Sequence, residues 1–230
     1  AASLVGINID DENSQITNAI ATLRSRDFTR NFIERYGLLI PLMASKWSNE
    51  ERRNVVDPDL FDEMTNTWIR EDGPAQPTDW EAYRAFSRIL FVSEDRETNL
   101  VRVAIEWPDP QQAAQWVNWL VADINRHVKE QDLNEATDAI EYLRRQLQST
   151  QLVEMQRVFY QLIESQTRIV MLADVRDEYV LQIIDPAVVP EERVRPRRAL
   201  ICIIGTMLGG MFAVIFVFLR HFASTRLLRR

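Results

Sequence analysis

The stretch "PQQAAQWVNWLVADINRHVKEQDLNEATDAIEYLRRQLQ", residues 110–148, has no glycine and no proline after its first residue. Asp109 before Pro110 is a good helix start, because aspartate can cap free amides and proline fits the first turn. The stretch therefore predicts one helix from Pro110 to about Gln148, with a length of about 58 Å.

The apolar face of this helix changes along its length. A broad face packs well on a sheet, whereas a narrow face with alternating three- and four-residue spacing is typical of a coiled-coil seam. The broad first half contains Ala113, Trp116, Val117, Leu120 and Ile124. The narrow second half contains Leu133, Ala136, Ile140, Leu143 and Leu147.

A second helix follows with a similarly narrow apolar face, so we expect it to pack against the first. The intervening "QSTQ", residues 148–151, is then the site of chain reversal, although it has no strong helix breaker. The two helices predict a helical hairpin that projects as an arm from a base domain. The expected seam of the second helix contains Leu152, Met155, Phe159, Leu162, Gln166 and Ile169.

The remaining soluble residues predict an α/β base. Two β-rich runs around a charged turn indicate a hairpin with strands at about 89–93 and 100–106, and "VLQII", residues 180–184, indicates a third strand. A helix is predicted over 14–36, with Gly37 as its C-terminal cap.

Two further segments lie before these strands. The polar, proline-broken region 45–77 is expected to be a surface excursion with short helices. Thr78 and Glu81 form the spacing of a capping box, which predicts a helix start at this point.

The C-terminal part begins with an arginine- and proline-rich connector. Pro186, Pro190 and Pro196 favour a stiff, extended chain that leads into a membrane helix. The next 21 residues, "ALICIIGTMLGGMFAVIFVFL" (199–219), contain no charged residue and predict a transmembrane helix. Within it, Gly205 and Gly209 form a GxxxG pattern that suits close packing of another helix.

Composition restricts the possible functions. Residues 191–230 contain eight arginines and two glutamates, so residues 1–190 carry a formal charge of −13 where the whole chain carries −7. Such an acidic domain disfavours nucleic acid as a partner. The only cysteine, Cys202, excludes an intrachain disulfide, and no catalytic, cofactor-binding or metal-binding motif is present. We therefore predict a protein that is not an enzyme and has no cofactor.

Several stretches together resemble the Wzz chain-length determinants, also called polysaccharide co-polymerases. The resemblance depends on the order and spacing of these stretches before the predicted span. They are "SRDF" (25–28), "VSEDRETNLVRVAIEWPDPQQAAQWVNWLV" (92–121), "FYQLIESQTRIVMLADVRDEYV" (159–180) and "IDPAVVPEERVRPRRAL" (184–200).

The resemblance implies an α+β fold: a membrane-proximal α/β base with a long helical arm, followed by a C-terminal transmembrane helix. The family's first transmembrane helix and an adjacent strand have no counterpart here and are expected upstream. The expected parts are a periplasmic domain (1–190), with its base at 1–125 and 176–190 and its arm at about 126–175, a connector (191–198), the span (199–219) and a cytoplasmic tail (220–230).

The resemblance also implies a function at the bacterial inner membrane. Such proteins form ring-like homo-oligomers and act with a Wzy-type polymerase on the growing lipid-linked glycan, in contact with membrane lipid. We expect a non-enzymatic regulator of polysaccharide length, whose arm contacts between copies include Glu154, Arg157, Glu164 and Arg168. Two alternatives remain open: a structural subunit of a polysaccharide export system, and the activating half of a split bacterial tyrosine kinase.

Overall fold

A computed structural model describes residues 9–69, 76–95, 97–190 and 202–212 and shows an α+β fold with a long helical arm. The chain divides into two compact units, 1–189 and 190–230. The helices of the first unit are α1 (Ile9–Leu23), α2 (Arg26–Arg35), α3 (Leu39–Met43), α4 (Asp79–Ile89), α5 (Pro110–Ser149) and α6 (Val153–Val175). Its strands are β1 (Ser45–Ser48), β2 (Arg53–Val56), β3 (Phe61–Asp62), β4 (Thr67–Trp68), β5 (Leu90–Asp95) and β6 (Leu100–Ile105).

The single helix predicted over 14–36 is in fact two helices. Ser25 separates α1 from α2, and its side chain caps α2 by accepting a hydrogen bond from the Phe28 amide at 3.2 Å. Gly37 ends α2 as predicted, with a φ of +61° and a bond from its amide to the Glu34 carbonyl. A serine cap competes well with continued helix because it satisfies amides that have no intrahelical partner.

The described part of the region 45–77, residues 45–69 and 76–77, contains β-hairpins instead of the predicted short helices. Strand β1 pairs with β2 and β3 pairs with β4, both antiparallel. The turns contain Arg52 and Asn66 at positive φ, and the Asp62 side chain accepts bonds from the amides of Met64 and Thr65. Hydrogen bonds and positive φ angles in the turns therefore determine the hairpins of this region. The prolines indicated only where regular structure is interrupted.

The core lies between α1, α2, α4, the β5–β6 hairpin and the first half of α5. Strands β5 and β6 confirm the predicted hairpin, and the Thr78–Glu81 capping box is present at the start of α4. Large apolar side chains such as Phe32, Phe86 and Leu120 are fully buried. Each contributes about 1.5–3 kcal/mol by leaving water.

Helix α5 confirms the predicted long helix and its start. The Asp109 carboxylate accepts hydrogen bonds from the backbone amides of Gln111 and Gln112, and the helix is 40 residues long. The broad apolar face of its first half is buried in the core. The chain reverses at Thr150–Leu152 as predicted, and α6 packs back along the second half of α5.

The third strand predicted at 180–184 is absent, because this segment binds to a helix and not to a sheet edge. The buried Asn125 side chain of α5 accepts bonds from the Val180 and Leu181 amides at 2.9 and 2.8 Å and donates to the Leu181 carbonyl at 2.8 Å. Two helical turns earlier, Asn118 exchanges a pair of bonds with the backbone of Ala187. The returning chain is extended, but asparagine side chains replace the neighbouring strand.

The predicted C-terminal transmembrane helix requires a correction. In the second unit the structure describes a helix over 202–212, and among all described residues no helix has the length and apolar character needed to cross a bilayer. The rest of the predicted span, the connector 191–198 and the tail 220–230 lie outside the described residues. The fold class of the described residues is therefore α+β with a long helical arm, and a C-terminal transmembrane helix is not supported among them.

Replacing Asn125 with Ala should destabilise the first unit by about 1–3 kcal/mol, because partly buried backbone groups of Val180 and Leu181 lose their hydrogen-bond partner. We expect a lower urea midpoint and faster proteolysis within 176–190. Asn134→Ala, at an exposed position of the same helix, is the matched control and should change stability by less than about 0.5 kcal/mol. Equal midpoints for the two variants would contradict this role for Asn125.

Candidate functional site: the face of the helical arm

The seam between the two arm helices uses small and apolar residues. On α5 the predicted seam is confirmed, with Ala136 buried and the leucines around it half-buried. On α6 the prediction is correct for Phe159 and Gln166, which are half-buried, and wrong for Leu152, Met155 and Leu162, which are exposed. Ile163 is half-buried where Leu162 was expected, and Ala173 is buried, so the seam is partly rotated from the prediction. The α6 residues that are buried or half-buried at this spacing are Gln156, Phe159, Ile163, Gln166, Val170 and Ala173.

The rotation leaves a second apolar line on α6, which we call the outer stripe: Met155, Val158, Leu162, Ile169 and Leu172. Its members lie one residue before the seam positions, and Ser165 occupies the position between Leu162 and Ile169. Met155, Val158, Leu162 and Leu172 are each 43–46 % exposed, and Ile169 is half-buried. The outer stripe thus has the pattern of a helix-packing face, and no helix among the described residues covers it.

Charged residues flank the outer stripe on the side away from α5. The predicted contact residues Glu154, Arg157, Glu164 and Arg168 lie within a sector of about 80° on α6, given 3.6 residues per turn. All four are exposed, and Glu164 and Arg168 face each other at 3.6 Å. Glu154 and Arg157 form no ion pair within the part of the chain that the structure describes. The structure thus brings all four predicted residues to one surface.

The root of the arm is tied to α2 by a buried carboxylate. Asp123 of α5 is 5 % exposed and accepts bonds from Arg35 at 3.1 Å and from the Tyr36 hydroxyl at 2.9 Å. Arg126 also contacts this carboxylate. The ring of Tyr36 stacks on Trp119 at 4.3 Å between centroids. The direction in which α5 leaves the base is therefore set by several independent contacts.

A second contact ties the end of α6 to α5. The Tyr179 hydroxyl donates to Asp132 at 2.7 Å, and Lys129 donates to the Arg176 carbonyl at 3.2 Å. Burial, together with the nearby Asp132 carboxylate, raises the pKa of Tyr179 above its usual range. The neutral phenol of Tyr179 is therefore the form that joins the end of α6 to α5.

The residues missed by sequence reasoning are Asn118, Asp123 and Asn125. Each is a polar residue within the broad half of α5, and the two asparagines are seven residues apart, which places them on one side of the helix. That spacing was the available signal. It was overlooked because the apolar residues between them satisfied the helix pattern.

The predicted connector and glycine residues are only partly described. Pro186 and Pro190 are exposed and lie in extended chain without regular structure, whereas Pro196 lies outside the described residues. Gly205 and Gly209 lie on the helix over 202–212, and open space surrounds the position that a Cβ would take at either residue. Their roles in connecting and packing stay predictions.

The described residues give no sign of a metal centre. No cluster of three or more metal-binding side chains is present among them. His127 packs edge-on against Phe28 at 5.6 Å, and Glu141 pairs with Arg145 at 2.5 Å. These side chains have structural partners, and the absence of catalysis stays a prediction.

Comparison with known proteins locates one similarity. Residues 143–222 match the family model described as a G-rich domain on putative tyrosine kinase. This domain is found in proteins related to the polysaccharide co-polymerases, and the match does not single out the Wzz determinants. No curated protein matches the chain. The match links the end of α5, all of α6 and the residues after it to polysaccharide export and tyrosine-kinase-associated systems.

Replacing Tyr179 with Phe tests the contact at the root of the arm by its pH dependence. A raised pKa in the folded state means that the contribution of Tyr179 to stability is complete below pH 10.0, the ordinary pKa of tyrosine, and declines at higher pH. The phenylalanine variant should therefore be less stable than the parent at neutral pH, and the difference should narrow above pH 10.

Urea unfolding of the parent and of Tyr179→Phe, at neutral pH and above pH 10, measures this difference in stability. Tyr142→Phe, at an exposed position of α5, is the control and should match the parent at either pH. A constant difference between parent and Tyr179→Phe would show that the hydroxyl does not stabilise the root in its neutral form.

Proposed function

We propose that this chain is a non-enzymatic regulator of polysaccharide chain length, which acts as a homo-oligomeric scaffold together with a Wzy-type polymerase. The match to a domain of polysaccharide co-polymerase-related proteins supports the general role. The resemblance over residues 25–28, 92–121, 159–180 and 184–200 supports the specific one. The same resemblance suggests the periplasmic side of a bacterial inner membrane as its place of action.

The outer stripe is the observation that carries the proposal. Its apolar residues have the spacing of a helix-packing face, and burial of such side chains contributes about 25 cal/mol per Å². A second copy of α6, or the α5 of a second copy, has the shape to cover it. Closed symmetric assemblies are the usual outcome when identical chains associate through one repeated contact.

The charged flank explains how copies with a strongly negative charge can associate. Residues 1–190 carry −13, and salt screens exposed charges over about 8 Å at physiological ionic strength. Repulsion is therefore local, and pairs of opposite charge at the contact offset it. Glu154 and Arg157 supply one charge of each sign next to the outer stripe.

Length control without a catalytic residue follows from repetition. An assembly presents the same weak surface many times, so a growing glycan or its polymerase gains avidity from several simultaneous contacts. A longer glycan reaches more of these surfaces. The assembly, and not a single side chain, then sets the length at which polymerisation ends.

A regulatory role beside a tyrosine kinase is the second candidate. The description of the matching family, a G-rich domain on putative tyrosine kinase, favours it. Co-expression with a candidate kinase separates the two functions. Phosphorylation that depends on this chain supports the second candidate, whereas an altered glycan ladder without phosphorylation supports length control.

Replacing Leu162 with Glu tests the scaffold. A charge in the outer stripe must lose water if a second helix covers it, so the variant should form smaller assemblies in native mass measurements. In cells, the distribution of surface glycan lengths should become broader or shorter.

The control is Tyr160→Glu, an exposed residue on the opposite side of α6, which should retain both the assembly and the glycan ladder. Assemblies of unchanged mass in Leu162→Glu would refute the role of the outer stripe. Intact assemblies with a lost ladder would instead indicate a specific glycan or polymerase site on the arm.

A further inference from the structure

A separate cleft lies in the base between α2, the β3–β4 hairpin and the start of α4. Its volume is about 410 Å³, within the range of small-molecule sites. None of the arm residues discussed above lines it. Ile33 and Ala82 form part of an apolar floor, and both are buried in the base.

An aromatic wall closes one side of the cleft. Phe61 is buried and packs edge-on against the half-buried Trp68, with 5.1 Å between the ring centroids. The two residues are cross-strand partners in the β3–β4 pairing. Trp68 therefore presents a large, rigid apolar surface to the cleft at little cost in side-chain entropy.

The hairpin that carries this wall is held by its own turn. The Asp62 carboxylate accepts bonds from the Met64 amide at 2.9 Å and from the Thr65 hydroxyl at 2.7 Å. The hydrogen bond from Thr65, with those from the turn amides, lowers the pKa of Asp62. The turn is thus fixed without a ligand, and a preorganised wall reduces the ordering that binding requires.

The rim of the cleft is polar and carries an excess of negative charge. Arg30 is paired with Asp27 at 2.6 Å, whereas Glu34 and Asp79 form no ion pair within the described residues. The remaining rim groups are the amides of Asn66 and Gln76. Carboxylates accept hydrogen bonds and amides both accept and donate them, which is the set of partners that neighbouring hydroxyl groups need.

The geometry points to this cleft as a binding site for a neutral saccharide. A sugar ring has an apolar face of C–H groups that fits an indole and an edge of hydroxyl groups that fits carboxylates and amides. An anionic ligand meets two carboxylates, and a purely apolar one leaves the polar rim desolvated without partners. That this saccharide is part of a polysaccharide rests on the proposed function. The chemistry by which the cleft recognises a saccharide does not depend on that function.

The test is a binding titration on the full chain with defined probes. Maltotetraose, cellotetraose and mannotetraose represent neutral saccharides, and trigalacturonate and trilysine represent acidic and basic ligands. Saturation-transfer NMR and calorimetry with the parent protein should show binding of at least one neutral probe. That probe should bind more tightly than either charged one.

Two variants locate the site. Trp68→Ala removes the wall, and Glu34→Ala removes one rim carboxylate from an exposed helix position without touching the hairpin. Each should weaken binding of the neutral probe by about tenfold or more, because Trp68→Ala removes the apolar surface under the sugar ring and Glu34→Ala removes a charged hydrogen-bond acceptor. Met64→Ala, at the 97 % exposed tip of the same hairpin, should bind as the parent does.

Three results would overturn the assignment: no neutral probe binds, a charged probe binds more tightly, or Glu34→Ala and Trp68→Ala bind as the parent does. The fate of the proposed function is measured separately. Assembly mass and the glycan ladder of Leu162→Glu depend on the arm, so length control can fail while the cleft binds sugar. The cleft can equally fail while the arm still assembles.

Discussion

The Asn125 side chain closes the longest excursion of the chain. Helix α5 leaves the core near residue 128, and the chain returns only after α6 ends at Val175. Three hydrogen bonds between one buried amide and the backbone of Val180 and Leu181 tie the return to the helix from which it departed. Because those backbone groups have no strand beside them, no other partner in the described fold satisfies them.

Further contacts hold the segment where the chain enters the arm and the segment where it leaves the arm. Asp123 binds the end of α2 on one side of α5, and Tyr179 with Asp132 holds the end of α6 on another. Beyond these contacts the two helices pack on each other, and in the described part of the chain four of the five outer-stripe side chains stay exposed along α6. A rigid root and an uncovered apolar face together suit an element that associates with copies of itself.

The base and the arm present surfaces of different shape and chemistry. The arm surface is linear, apolar and charged at its margin, which suits another helix. The cleft of the base is concave, aromatic and rimmed by Glu34 and Asp79, which suits a small hydroxylated ligand. In the proposed function, the base holds a glycan and the arm carries the contacts between copies.

The sequence by itself determined the elements whose signals are local. Asp109 with Pro110 predicted the start of α5, Thr78 with Glu81 the start of α4, and the β-rich runs the β5–β6 hairpin, because caps and strand alternation depend on neighbouring residues. Only the tertiary structure decided that Val180 and Leu181 bind Asn125 and not a sheet. It also decided that Ile163 and not Leu162 enters the seam, and that Trp68 and Glu34 line one cleft. An extended chain has the same local pattern whichever partner satisfies its amides, and two adjacent apolar lines on α6 differ only in what packs against them.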